Sequence, residues 1–201
     1  MQNVKTGGSA SGRIGKVVFY FALSVAMSLL GVSSGYADTA ARTAGQDNLE
    51  QEIAQILRDN PKAHRIDTYN IQLDEGAMLT FPAPSAGGTG EASTQAMSCD
   101  WQRLCLYDGT GGSGTRLSLY SCQRWYYLED FSFRDKASSI YNAQSGGSRA
   151  IGKFVDTRGD GTWLQLGTLA TGGQLANLAL DRAPDGGTWN NRIDKVWACD
   201  A

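Results

Sequence analysis

Gly114-Thr115-Arg116-Leu117-Ser118-Leu119 returns 47 residues later as Gly161-Thr162-Trp163-Leu164-Gln165-Leu166, with four identities in six positions. A repeat of this kind marks one supersecondary unit present twice, each copy too small to bury its own apolar face. Each copy follows a strand-like run, residues 104–107 in one and 151–155 in the other, through a connection containing Gly and Asp. That pattern predicts a hairpin with alternating faces. Each hairpin leads through a less regular stretch to a last strand, Ser138-Ser139-Ile140-Tyr141 or Asp194-Lys195-Val196-Trp197, now 56 residues apart. The nine extra residues are expected as a loop around Asp181 to Thr188, where Pro184, Gly186 and Gly187 cluster. Two four-stranded antiparallel units covering each other's apolar faces give an all-β sandwich.

The N-terminus is of another kind. Lys5, Arg13 and Lys16 precede an uncharged apolar run from Val17 to Val32, and small residues follow at Ser33-Ser34-Gly35-Tyr36-Ala37. A basic n-region, an h-region too short to span a bilayer and a small-residue site describe a signal peptide over 1–37, cleaved after Ala37. An uncleaved anchor is the alternative. Cleavage removes three positive charges from a net −2, leaving −5. Such a balance excludes a phosphate-backbone partner, so no nucleic acid is expected, and no membrane contact after cleavage. Export also exposes Cys99, Cys105, Cys122 and Cys199 to an oxidising compartment, and their even number favours two disulfides. Three pairings are possible. Cys105 and Cys122 flank the first hairpin while Cys99 and Cys199 stand at the two ends of the repeat region, which favours 105 with 122 and 99 with 199.

Between signal and repeat, Leu49, Ile53, Ile56 and Leu57 fall at helical spacing within Asp47–Asn60, with Asp47 or Asn48 placed to cap and Pro61 to stop it. Arg65–Leu73 and Ala77–Phe81 read as two strands around an Asp74-Glu75-Gly76 turn. This small α+β segment, 38–82, has too few apolar residues to stand alone, so it docks on the rest or is a removable pro-region. Residues 83–98 have a linker's composition, and 99–201 form the main domain.

Cys105-Leu106-Tyr107-Asp108, the Gly-rich hairpin and Phe133-Arg134-Asp135-Lys136-Ala137-Ser138-Ser139-Ile140 together resemble the βγ-crystallin Greek key, in the form found in secreted actinobacterial proteins of peptidase inhibitor family I36. The resemblance covers about 99–199 and implies a double Greek-key sandwich, binding rather than enzymatic activity, and an extracellular protease as partner, thermolysin-like zinc enzymes first. It also implies a calcium test. In calcium-binding relatives each Greek key ends in two Asn or Asp, two variable residues, then Ser or Thr and Ser, supplying hard oxygen ligands. Candidate ligands here are Asp135, Ser138 and Ser139 in the first copy and Asn190, Asn191 and Asp194 in the second. Arg134 stands where the first copy should open with Asn or Asp, and Lys195 where the second should close with Ser, and fixed positive charge at both places opposes a cation.

Other chemistry is thin. A single histidine, His64, excludes sites needing two imidazoles, and as the base of a serine nucleophile it would sit in the leader, away from the main domain. No pair of carboxylates is set apart by an apolar context. Arg158-Gly159-Asp160 spells an adhesion tripeptide, yet a hairpin connection already needs Gly and Asp there. Trp163 and Trp197 are expected in the core. Trp125, Tyr126 and Tyr127 cannot all point inward, so they form the expected contact patch. The chain is expected to be a secreted monomer that binds without cofactor, as a peptidase inhibitor or, alternatively, as a calcium-binding or structural module.

Overall fold

The computed structural model describes residues 34–74, 76–83, 97–146, 152–158 and 160–200. The apolar run of the expected signal peptide lies outside the described residues. The first element is helix α1, Ser34–Asp59. It begins before the expected start, and Asp47 lies inside it rather than capping it. Among the described residues no helix is long and apolar enough to cross a membrane.

Three short strands follow: β1 His64–Arg65, β2 Asn70–Asp74 and β3 Ala77–Thr80. The single strand expected over 65–73 is broken because Asp67 Oδ1 accepts the Tyr69 and Asn70 amides at 2.8 and 3.0 Å, a side-chain turn that competes with the ladder. The first unit then supplies β4 Leu104–Tyr107, β5 Arg116–Leu119, β6 Trp125–Tyr127 and β7 Ser139–Asn142. The second supplies β8 Gly152–Thr157, β9 Trp163–Leu169, β10 Gln174–Leu175 and β11 Lys195–Trp197.

The sheets exchange strands. One runs β1-β2-β3-β5-β4-β7-β10 and the other β6-β11-β8-β9. The third strand of each unit has left its own unit and lies beside the other's last strand: β6 pairs with β11 and β10 with β7. Each sheet is therefore built from both units, the strand exchange that the double Greek-key resemblance implies. The second copy of the repeat carries a longer loop, where Arg182 bridges Thr188 and Trp189 tucks beneath, 5.7 Å from Phe154. Gly167 leaves room for that indole; a Cβ there would lie 2.1 Å from Trp189 Cζ2.

The leader docks on the first unit. β3 pairs with β5 in register Leu79↔Leu117, both buried. Ile53 and Ile56 of α1 join Ile71, Leu73, Leu104, Leu106, Leu117 and Leu119 in one apolar core. Arg124 reaches Asp74 at 2.8 Å, and the Tyr126 hydroxyl donates to Gly76 O at 3.0 Å while accepting the Ser121 amide at 2.9 Å.

Two disulfides are present, but not in the expected pairing: Cys99 joins Cys105 and Cys122 joins Cys199, with Cα separations of 5.8 and 4.6 Å. The reason is strand alternation and strand exchange. Cys105 faces away from the main core, into a small cluster with Met97, Tyr107 and Cys99, so its partner comes from the chain just before β4. Cys122 leads into β6, which lies against β11, and Cys199 leaves β11; the Gln123 amide donates to Cys199 O at 2.8 Å. The second bridge therefore ties the exchanged strand of unit one to the last strand of unit two.

Candidate functional site

The ends of the two Greek keys meet through reciprocal backbone bonds. The Asp135 amide donates to Ile193 O at 3.3 Å, and the equivalent Asn191 amide donates to Ala137 O at 3.0 Å. Leu178 N likewise donates to Ser138 O, and Leu128 N to Asp194 O, at 2.9 and 2.8 Å. Asp135 and Asn191 both have left-handed backbones, φ 55° and 53°. Asn and Asp tolerate that conformation better than other non-glycine residues, so backbone geometry alone accounts for these residue types here.

Side chains at the junction are committed to one another. Arg134 Nε donates to Asp194 Oδ1 at 2.6 Å, and its guanidinium also lies 3.3 Å from Glu129 and 3.6 Å from Asp135. Asp194 is buried, and its second oxygen accepts the Thr157 amide. The Asp194 charge is the main cause that holds the Arg134 pKa up; burial first, then the same charge, pushes Asp135 up from the ordinary carboxylate value. Ser138 Oγ donates to Asn191 Oδ1 at 3.3 Å, and Ser139 Oγ donates to Gly109 O at 2.7 Å while accepting the Gly112 amide at 3.0 Å. Asn190 is half-buried in the turn before Asn191.

These residues do not fit a calcium ion. The best carboxylate, Asp194, is filled by a guanidinium and an amide, and Ser139 fastens the first hairpin loop. Among the described residues no group of three or more His, Cys, Asp or Glu is arranged to hold a metal. Arg134 supplies within the fold the positive charge that an ion would otherwise bring.

His64 is exposed on β1, and among the described residues no serine or cysteine hydrogen-bonds to it. At the adhesion-like tripeptide, Asp160 Oδ1 accepts the Thr162 amide and hydroxyl at 2.9 and 2.6 Å, a turn closed by Gly161 N donating to Arg158 O at 3.0 Å.

The aromatic residues divide by strand alternation. Tyr126 is fully buried, and burial raises its phenol pKa. It joins the leader to the domain and drops out of the expected contact patch. Trp125 and Tyr127 point outward, and so do Trp163 and Trp197, which were expected inside. Trp163 is 61% exposed and Tyr127 49%. The buried indole of this region is Trp189. Lys195 Nζ sits among the outward rings, 5.3 Å from the Trp125 centre, 5.5 Å from Trp163 and 5.8 Å from Tyr127. Lys153 Nζ is 5.5 Å from the Trp197 ring and 3.5 Å from Asp200, which also accepts the Trp197 indole N–H at 2.7 Å. The signal for this face was the i, i+2 placement of Trp125 with Tyr127 and Lys195 with Trp197. Without knowledge that β6 and β11 are neighbours it could not be assembled.

Comparison with known proteins covers part of this region. Residues 92–166, from the linker into β9, match peptidase inhibitor family I36. Over these residues the chain is similar to that family. A solved chain described as "Evolution of the eye lens beta-gamma-crystallin domain fold" is 15% identical, covering 50% of this chain and 88% of its own, with a TM-score of 0.33. A search of the curated proteins finds no match. The I36 match takes in unit one and most of the first hairpin of unit two, including the Cys99–Cys105 bridge and Arg134, and ends within β9.

Proposed function

We propose that the protein is exported and acts outside the cell as a stoichiometric monomeric inhibitor of a metallopeptidase, presenting a rigid loop of the I36 domain to the enzyme's cleft. The observation that carries this is the I36 match over 92–166. Two disulfides and a core shared by both units support it, because a loop held in its bound shape loses little entropy on docking. The basic n-region, apolar run and small-residue site of 1–37 support export, and the core shared with α1 and β3 supports a mature chain from Asp38 that keeps its leader.

The test is titration of a thermolysin-like zinc peptidase with the oxidised secreted protein. Activity should fall linearly to zero at equimolar inhibitor, and reduction of the disulfides should weaken the effect. Calcium chelation restricted to the inhibitor stock should change nothing, since Arg134 already compensates Asp194. A folded, oxidised protein that leaves metallo-, serine and cysteine peptidases untouched overturns the reading. Calcium binding at about micromolar affinity would move it to the calcium-binding module instead.

A further inference from the structure

The outward face of the β6-β11-β8-β9 sheet takes no part in the core, the leader or the unit junction. Its rings are fixed on strands, so their positions are set by the ladder and not by loop motion. Lys195 is the unusual member. Its ammonium has ring faces for neighbours and no ion pair among the described residues, in a chain whose net charge is −2. Lys153, by contrast, is neutralised by Asp200.

We propose that this face binds an acidic polysaccharide, with Trp163 and Tyr127 stacking on pyranose rings and the Lys195 ammonium pairing with a uronate carboxylate. This goes beyond peptidase inhibition. A pyranose has C–H groups on its flat faces and hydroxyls round its edge, so an exposed ring on a rigid sheet matches its face. The cation held between the rings needs an anion and loses little freedom in meeting one.

Other partners fit less well. The exposed parts of Trp163 and Tyr127 amount to roughly 200 Å², well short of the ~800 Å² per side of a stable protein interface. Nucleic acid requires several unpaired cations along its backbone, and this face offers Lys195 alone.

The experiment uses the full secreted chain and no peptidase, so its outcome is independent of inhibition. Polygalacturonate should bind saturably and the neutral dextran about fivefold more weakly. Trp163→Ala should weaken binding about tenfold and Lys195→Met about fivefold, with the Lys195→Met loss shrinking at high salt. Trp163→Ala should keep the wild-type melting curve, because the ring is exposed; Tyr127→Phe, which keeps the ring, should bind as wild type. Absence of polymer binding, equal binding of dextran, tighter binding of a thymidine oligonucleotide, or an unaltered Trp163→Ala isotherm each overturns the proposal. Loss of peptidase inhibition in Trp163→Ala with no polymer bound would assign the face to the peptidase instead.

Discussion

The two Greek keys share one hydrogen-bonding scheme and differ in almost everything attached to it. Unit one has its second strand, β5, covered by β3 of the leader, whereas the equivalent β9 of unit two is a free edge. That edge is protected differently: a bulge opposite Phe154 and Val155 interrupts its pairing, and Trp189 packs over Gly167 beside it. At the junction, unit one contributes Ser138, with a single bond at 3.3 Å, where unit two contributes Asp194, bound to both Arg134 and the Thr157 amide. One residue on, Ser139 fastens a loop while Lys195 turns outward among aromatic rings. The comparison teaches that backbone bonds preserve the motif, and that side chains freed from it can take on other work.

The largest expected effect breaks the asymmetry of the edges. Deleting residues 38–98 should cost about 5 kcal/mol, since β5 loses one of its two ladder partners and Leu117 and Leu119 lose their cover from the leader. Chemical denaturation of the truncated chain would measure it, and an unchanged midpoint would show the leader to be superfluous. The disulfides come next. Replacing Cys122 and Cys199 by Ala opens a loop of 77 residues and should cost about 4 kcal/mol, against about 2 kcal/mol for the six-residue Cys99–Cys105 loop. Equal losses would contradict the picture of one bridge uniting the units and the other trimming an end.

The junction should respond unequally to equivalent substitutions. Asp194→Ala should cost about 2 kcal/mol, because it strips a buried amide and a guanidinium of their acceptor, while Ser138→Ala should cost about 0.5 kcal/mol. Urea melts of the two variants decide it. The smallest effect concerns the loop found only in unit two, where Arg192 hydrogen-bonds Asp185 and holds its pKa down to about 2. A carboxyl depressed by folding stabilises above its unfolded pKa and loses that contribution as pH falls through its folded one. Stability from this loop should therefore be intact above about pH 4 and gone below about pH 2, and Asp185→Asn should flatten the profile there. NMR titration of the Asp185 carboxyl checks the position of the step.

Much of unit architecture was readable in one dimension. The 47-residue repeat marks both hairpins, Pro61 ends the helix, and the block from Arg134 to Ile140 carries the Greek-key resemblance, because alternation and turn chemistry are local properties. The extra loop near Asp181 also falls where composition placed it. The candidate site was less legible. Tyr126 and Tyr127 are adjacent and chemically alike, yet one is sealed against the leader and the other is half exposed, a matter of strand phase.

What the sequence by itself determined, then, is the list of units: two hairpin-bearing copies, a helical leader, four cysteines and a positively charged residue at each of two would-be ligand positions. Which cysteine meets which, whether Trp163 lies in or out, and what surrounds Arg134 and Lys195 were decided by tertiary structure. The physical reason is strand exchange. Once β6 crosses to β11 and β10 to β7, residues far apart in the chain become ladder neighbours, and pairing between units has no signature in either one alone.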